Sequence, residues 1–173
     1  LGKQQPVLEN EVANTYNYSS CNDQTILLPL GTLGTSGVAN SIERGVSQGG
    51  NNITFIAGAI TDNSGQKQAV SWYYTLWPTC GNVPYGAELL NVPYGTIMSE
   101  ALGTNGTYLD YVGYYRTTSD GPTKAILFSG PVILDSLWPE GSSKAYAVNI
   151  GRRIVGASEI SAGVSHAVMW NVN

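Results

Sequence analysis

At 173 residues the chain is long enough to bury a core of its own, with no need of a structural metal or a dense disulfide framework. Only 12% of the residues are charged, the net charge is -4 and Gly (21) and Tyr (11) are abundant; this suits an extracellular β-protein and offers no basic stripe for nucleic acid. No apolar run is long enough to cross a bilayer, so membrane insertion is not expected.

Residues 1–25 form an arm ahead of the first repeat. Residues 1–20 lack a basic-then-apolar signal pattern, so the chain reads as a mature secreted form. Within it 11–18 alternates weakly, and Val12, Thr15, Tyr16 and Tyr18 are β-favouring, so this stretch is the candidate strand donor for a sheet edge of another copy. Cys21 and Cys80 are the two cysteines, and their spacing fits neither a redox pair nor a zinc knuckle. A disulfide between them is expected over two buried thiols; it would close a loop of about 60 residues and add on the order of 4 kcal/mol on the chain-entropy model.

From residue 26 onward the chain reads as one all-β domain of three repeats, 26–80, 81–130 and 131–173. Leu28 and Ala39, Leu90 and Ala101, and Leu134 and Ala145 stand at the same spacing of eleven. Gly58, Gly113 and Gly156 then lead to Ala69, Ala125 and Ala167, and three residues beyond each Ala comes Trp72, Phe128 or Trp170. Fixed spacing with drifting sequence is the mark of a copied packing unit. Short apolar runs at 26–30, 88–92 and 131–134 predict a first strand in each unit; second strands fall at 38–42, 100–102 and 144–148. Third strands are expected at 55–60, 111–115 and 153–157, and fourth strands at 69–73, 125–128 and 167–170. The turn-forming stretches 62–65, 119–122 and 161–163 make the last two strands of each unit a hairpin. Gly in the third strand is expected to leave room for the aromatic in the fourth. An insertion at 47–52 predicts a flexible loop in the first unit. Asn82-Val83-Pro84-Tyr85-Gly86 recurs as Asn91-Val92-Pro93-Tyr94-Gly95; these read as loop corners, with Tyr85 and Tyr94 as candidate sugar or surface contacts.

Leu30-Gly31-Thr32-Leu33-Gly34 followed by Ala39-Asn40-Ser41-Ile42, the stretch Ile154-Val155-Gly156-Ala157-Ser158, and His166-Ala167-Val168-Met169-Trp170 resemble the HAF-type extracellular repeat, over about residues 26–172. The third unit alone carries the His-Ala pair; Gln68 and Lys124 replace the His elsewhere. The resemblance implies a secreted or surface-exposed protein and no activity.

Catalytic chemistry finds little support. His166 is the one histidine, and its repeat counterparts Gln68 and Lys124 favour a solvent-facing strand start over a general base. Asp62 and Asp120 sit in hairpin turns, where Asp is favoured by its own backbone bonds, so no metal site is expected. Glu43, Glu88, Glu100, Asp110, Asp135, Glu140 and Glu159 provide carboxylates, but none is marked out as an acid–base pair. Asn17, Asn52 and Asn105 lie in glycosylation sequons.

The expectation is an all-β body of three four-stranded antiparallel repeats in a pseudo-threefold, prism-like arrangement, with propeller-like blades or a β-trefoil as alternatives. The expected function is non-enzymatic and needs no cofactor: a secreted or cell-surface structural, assembly or adhesion subunit of a filament or coat, with other copies of itself as partner. The alternative is a lectin that binds glycans.

Overall fold

The computed structural model describes residues 14–16, 25–46, 52–75 and 86–172. They form thirteen strands and no helix. β1 (Asn14–Tyr16) and β2 (Thr25–Leu27) make a two-stranded ribbon. β3 (Ser36–Val46), β4 (Asn52–Thr61), β5 (Lys67–Thr75) and β6 (Glu88–Leu89) form sheet 1 in that order. β7 (Met98–Asn105), β8 (Asp110–Arg116), β9 (Lys124–Leu127) and β10 (Val132–Ile133) form sheet 2; β11 (Ser143–Val148), β12 (Arg153–Ser161) and β13 (Val164–Asn171) form the three-stranded sheet 3. All pairings are antiparallel.

The expected strands are therefore present, and Gly65 and Gly163 occupy positive φ in the turns that close the β4–β5 and β12–β13 hairpins. The pairing differs from a self-contained four-stranded unit in one respect. The first strand of a repeat joins the last strand of the repeat before it: Leu89 lies opposite Val70 on β5, and Ile133 opposite Ile126 on β9. Each sheet is thus one strand out of phase with the sequence repeat, and this exchange stitches neighbouring units through backbone bonds. Asn52, placed in the expected loop, begins β4 opposite Val46, because β3 and β4 extend as a long hairpin beyond the repeat core.

The sheets stack in chain order. Alternation gives each sheet two apolar faces. Ala57 and Ala69 on the second face of sheet 1 pack with Ala101, Tyr111, Tyr115, Ile126 and Phe128 on the first face of sheet 2. Val112, Ala125 and Leu127 on the second face of sheet 2 pack with Leu134, Ala145, Val148 and Ile154 against sheet 3. The first face of sheet 1 has its own cluster of Leu28, Ile56, Ile60, Val70, Trp72 and Tyr74. Among the described residues the extensive inter-sheet contacts run from sheet 1 to sheet 2 and from sheet 2 to sheet 3.

Candidate assembly interface at the open end of the stack

The two inter-sheet contacts are built from the same parts, which defines what a third would require. In every sheet the second strand of the repeat carries a β-bulge, between Ala39 and Ser41, Ala101 and Gly103, and Ala145 and Ala147. Opposite each bulge stands the recurrent glycine. A Cβ there would lie 2.0 Å from Val38 O at Gly58, 1.9 Å from Glu100 O at Gly113 and 2.0 Å from Lys144 O at Gly156. The primary reason for the glycine is thus the close approach of a bulged backbone. The expected aromatic neighbour is a second reason at Gly58 and Gly156, where the ring of Trp72 or Trp170 would lie 2.8 Å from the added Cβ.

Two further elements recur. Trp72 Nε1 donates to Pro29 O at 2.9 Å and Trp170 Nε1 to Asp135 O at 2.7 Å, each tying the fourth strand to the residue after the first-strand leucine. Ser99 Oγ accepts from Ala69 N, and Ser143 Oγ from Ala125 N, both at 2.9 Å. Each serine latches one repeat to the outward N–H of the repeat before it.

Polar groups fill what the apolar contacts leave. The bulged Asn40 donates from Nδ2 to Glu100 Oε1 at 3.0 Å and to Ala101 O at 2.9 Å, across the first inter-sheet contact. Tyr114 donates to Glu100 Oε2 at 2.5 Å, and the Lys67 ammonium lies 3.3 Å from the same oxygen. Burial alone would raise the Glu100 carboxyl, but the bonds from Tyr114 and Asn40 and the charge of Lys67 outweigh it and hold the group below its ordinary value. Burial and the Glu100 carboxylate push Tyr114 up, and burial takes Tyr111 to about 12. Between sheets 2 and 3 the fully buried Asp110 receives Nε and Nη2 of Arg152 at 3.1 and 3.2 Å. Arg152 has a φ of 52°, a left-handed backbone that this bidentate ion pair helps to hold.

Sheet 3 carries the same surface with no described sheet packed on it. Ala57 and Val112 are 0% exposed, whereas their counterpart Val155 is 47% exposed. Ser71 and Leu127 are 5% and 1% exposed, and their counterpart Met169 is 59% exposed. Ala69 and Ala125 are buried, and Ala167 is exposed. Among the described residues no strand pairs with the outer edge of β13 as β6 and β10 pair with β5 and β9. Trp170 packs against the cluster between sheets 2 and 3 but is only partly buried, unlike the fully buried Trp72 and Phe128.

Thr15 and Tyr16 lie in β1, paired with Ile26 and Thr25 of their own chain. Val12, Asn17, Tyr18, Cys21, Cys80 and Tyr85 lie outside the described residues. Tyr94 is fully exposed beside Gly95, which has a φ of 80°. Asn105 is buried; its Nδ2 donates to Asn149 O and its Oδ1 accepts from the amides of Thr107 and Tyr108, so a glycan there would have to displace these bonds. Asp62 accepts from Ser64 Oγ and from the amides of Gln66 and Ser64, bonds that lower its carboxyl and spend it on the turn. His166 is exposed near the start of β13. No group of His, Cys, Asp and Glu among the described residues could hold a metal ion. A small cleft of about 170 Å³ is lined by residues including Gln66, Gln68, Leu89, Val92 and Met98, without an aromatic ring. Sequence reading missed Glu100 and Asn40 as an inter-sheet pair, since Glu100 was one of several unmarked acids.

No family model, curated protein or solved structure matches the chain.

Proposed function

We propose that the chain is a non-enzymatic structural subunit, secreted or at the cell surface, that assembles by continuing its own stack of β-sheets into a filament or coat. The observation that carries this reading is the end of sheet 3, where an apolar face and a strand edge that are covered in sheets 1 and 2 stand open together. Exposed apolar surface next to an unpaired edge is an interaction surface in a soluble β-protein. Contacts that follow chain order favour blade-like sheets in an open stack. A closed pseudo-threefold prism or a β-trefoil would bring sheet 3 against sheet 1.

Analytical ultracentrifugation over a wide concentration range tests the assembly reading, with negative-stain microscopy to show the form. Oligomers or fibres are expected; a chain that stays monomeric throughout overturns it. One observation favours the lectin alternative: Tyr94 presents its entire ring on a tight turn, as sugar-stacking aromatics do. Specific binding on a glycan array, lost in Tyr94→Ala, would favour that reading.

A further inference from the structure

The open edge of β13 has two precedents within the chain, and they fix both its occupant and its register. On β5, Leu90 N donates to Ala69 O at 3.0 Å, and Leu89 lies opposite Val70. On β9, Leu134 N donates to Ala125 O at 3.0 Å, and Ile133 lies opposite Ile126. Ala167 and Val168 hold the same places on β13, since Val168 lies opposite Gly156 as Val70 lies opposite Gly58 and Ile126 opposite Gly113. The occupying segment is in both cases the first strand of the next repeat, Glu88-Leu89-Leu90 or Val132-Ile133-Leu134. The first repeat has the corresponding segment, Ile26-Leu27-Leu28, and no described strand stands to it as β5 stands to β6 or β9 to β10. In the free chain its β2 strand is paired with β1.

We infer that β2 of a second copy closes the edge of β13, with Leu28 N donating to Ala167 O, Leu27 opposite Val168 and Ile26 opposite Met169, so that copies join head to tail. The inference rests on the assembly reading above and moves the donor from residues 12–18 to the strand that follows. The side chains match the precedent. Val155, Ala167 and Met169 reproduce the surface of Val112, Ala125 and Leu127, which receives Leu134 and Ile154 from the next unit. Leu28 and Ile56 are the counterparts of Leu134 and Ile154 in the first repeat. One part differs: Gly37 stands where Ser99 and Ser143 supply the latch. The Ala167 N–H is thereby left for the Leu28 carbonyl, giving a two-bond pair in place of a bond and a latch.

The experiment mixes two single variants of the whole chain, Leu27→Cys and Val168→Cys, and oxidises them. These positions form a pair without mutual backbone bonds in the inferred register, with Cβ atoms close enough for a disulfide. Peptide mass analysis should find residue 27 of one copy joined to residue 168 of another, and should find no link when Ser165→Cys replaces Val168→Cys. Oligomers without the 27–168 link overturn the inferred register and leave the assembly reading standing; monomers alone overturn both. Met169→Pro provides a separate check. The Met169 N–H faces the open edge, since Val172 N bonds inward to Arg152 O and alternate residues point the other way. This variant should fold, by circular dichroism, and self-associate about tenfold more weakly or worse, the equivalent of a lost hydrogen bond. A Met169→Pro chain that assembles like the parent overturns the inference.

Discussion

At Gly58, Gly113 and Gly156 the backbone of a bulged neighbour leaves no space for a methyl group. The obstacle is a main-chain carbonyl, which cannot rotate aside as a side chain would. Gly113→Ala should therefore cost on the order of 3 kcal/mol in denaturant unfolding, at the upper end of overpacking effects. The aromatic that follows each glycine is more graded. Trp72 is 0% exposed, and Trp72→Ala should cost about 3–5 kcal/mol. Trp170→Ala should cost less in the monomer, because part of that ring is already in water. Glu100 adds a dependence on acid. Its carboxyl titrates lower in the folded chain than in the unfolded one, so its contribution is full above the ordinary carboxylate range, about pH 4–5, and is lost as pH falls through the folded value. Glu100→Gln should remove that part of the acid sensitivity, read as a smaller drop in urea midpoint between pH 6 and pH 3.

At the scale of strands, β5, β9 and β13 are the same element in three settings. The outward amides of Ala69 on β5 and Ala125 on β9 meet a serine, beside the segments paired with β6 and β10; those of Ala167, Met169 and Asn171 face the edge of β13 on which no described strand lies. Hydrogen exchange in the monomer should accordingly be fast at these three amides, and they should become protected on assembly. Equal protection of β9 and β13 in a verified monomer would count against an open edge. The strands themselves were legible because their signals are local: apolar runs, alternation, and turn residues such as Gly65 and Gly163. Their partners were not. Whether Leu89 bonds to its own repeat or to Val70 of the one before depends on contacts remote in sequence, and both choices satisfy the same alternation. The Asn40–Glu100 pair was hidden for a related reason, since a β-bulge turns Asn40 toward the next sheet and no residue spacing announces it.

For the molecule as a whole, stacking in chain order gives two unlike ends. The first face of sheet 1 buries Leu28, Ile56 and Trp72, while the far face of sheet 3 leaves Val155 and Met169 in water. An interface between unlike ends is heterologous and yields a ring if the rotation per copy closes and a fibre if it does not. Because the inferred donor is β2, a chain lacking residues 1–13 should still assemble in a sedimentation assay. Loss of assembly in that folded truncation would return the donor role to the arm around Val12.

The uncovered face of sheet 3 also sets how such an assembly should respond to temperature. Val155, Ala167 and Met169 carry no charge, so docking on them gains chiefly from releasing water around apolar groups. That driving force is entropic near room temperature and fades on cooling, whereas sulfate strengthens it. Fibres or rings built on this face should loosen in the cold and re-form on warming, so that chilled, low-sulfate buffer is where the free subunit is to be found.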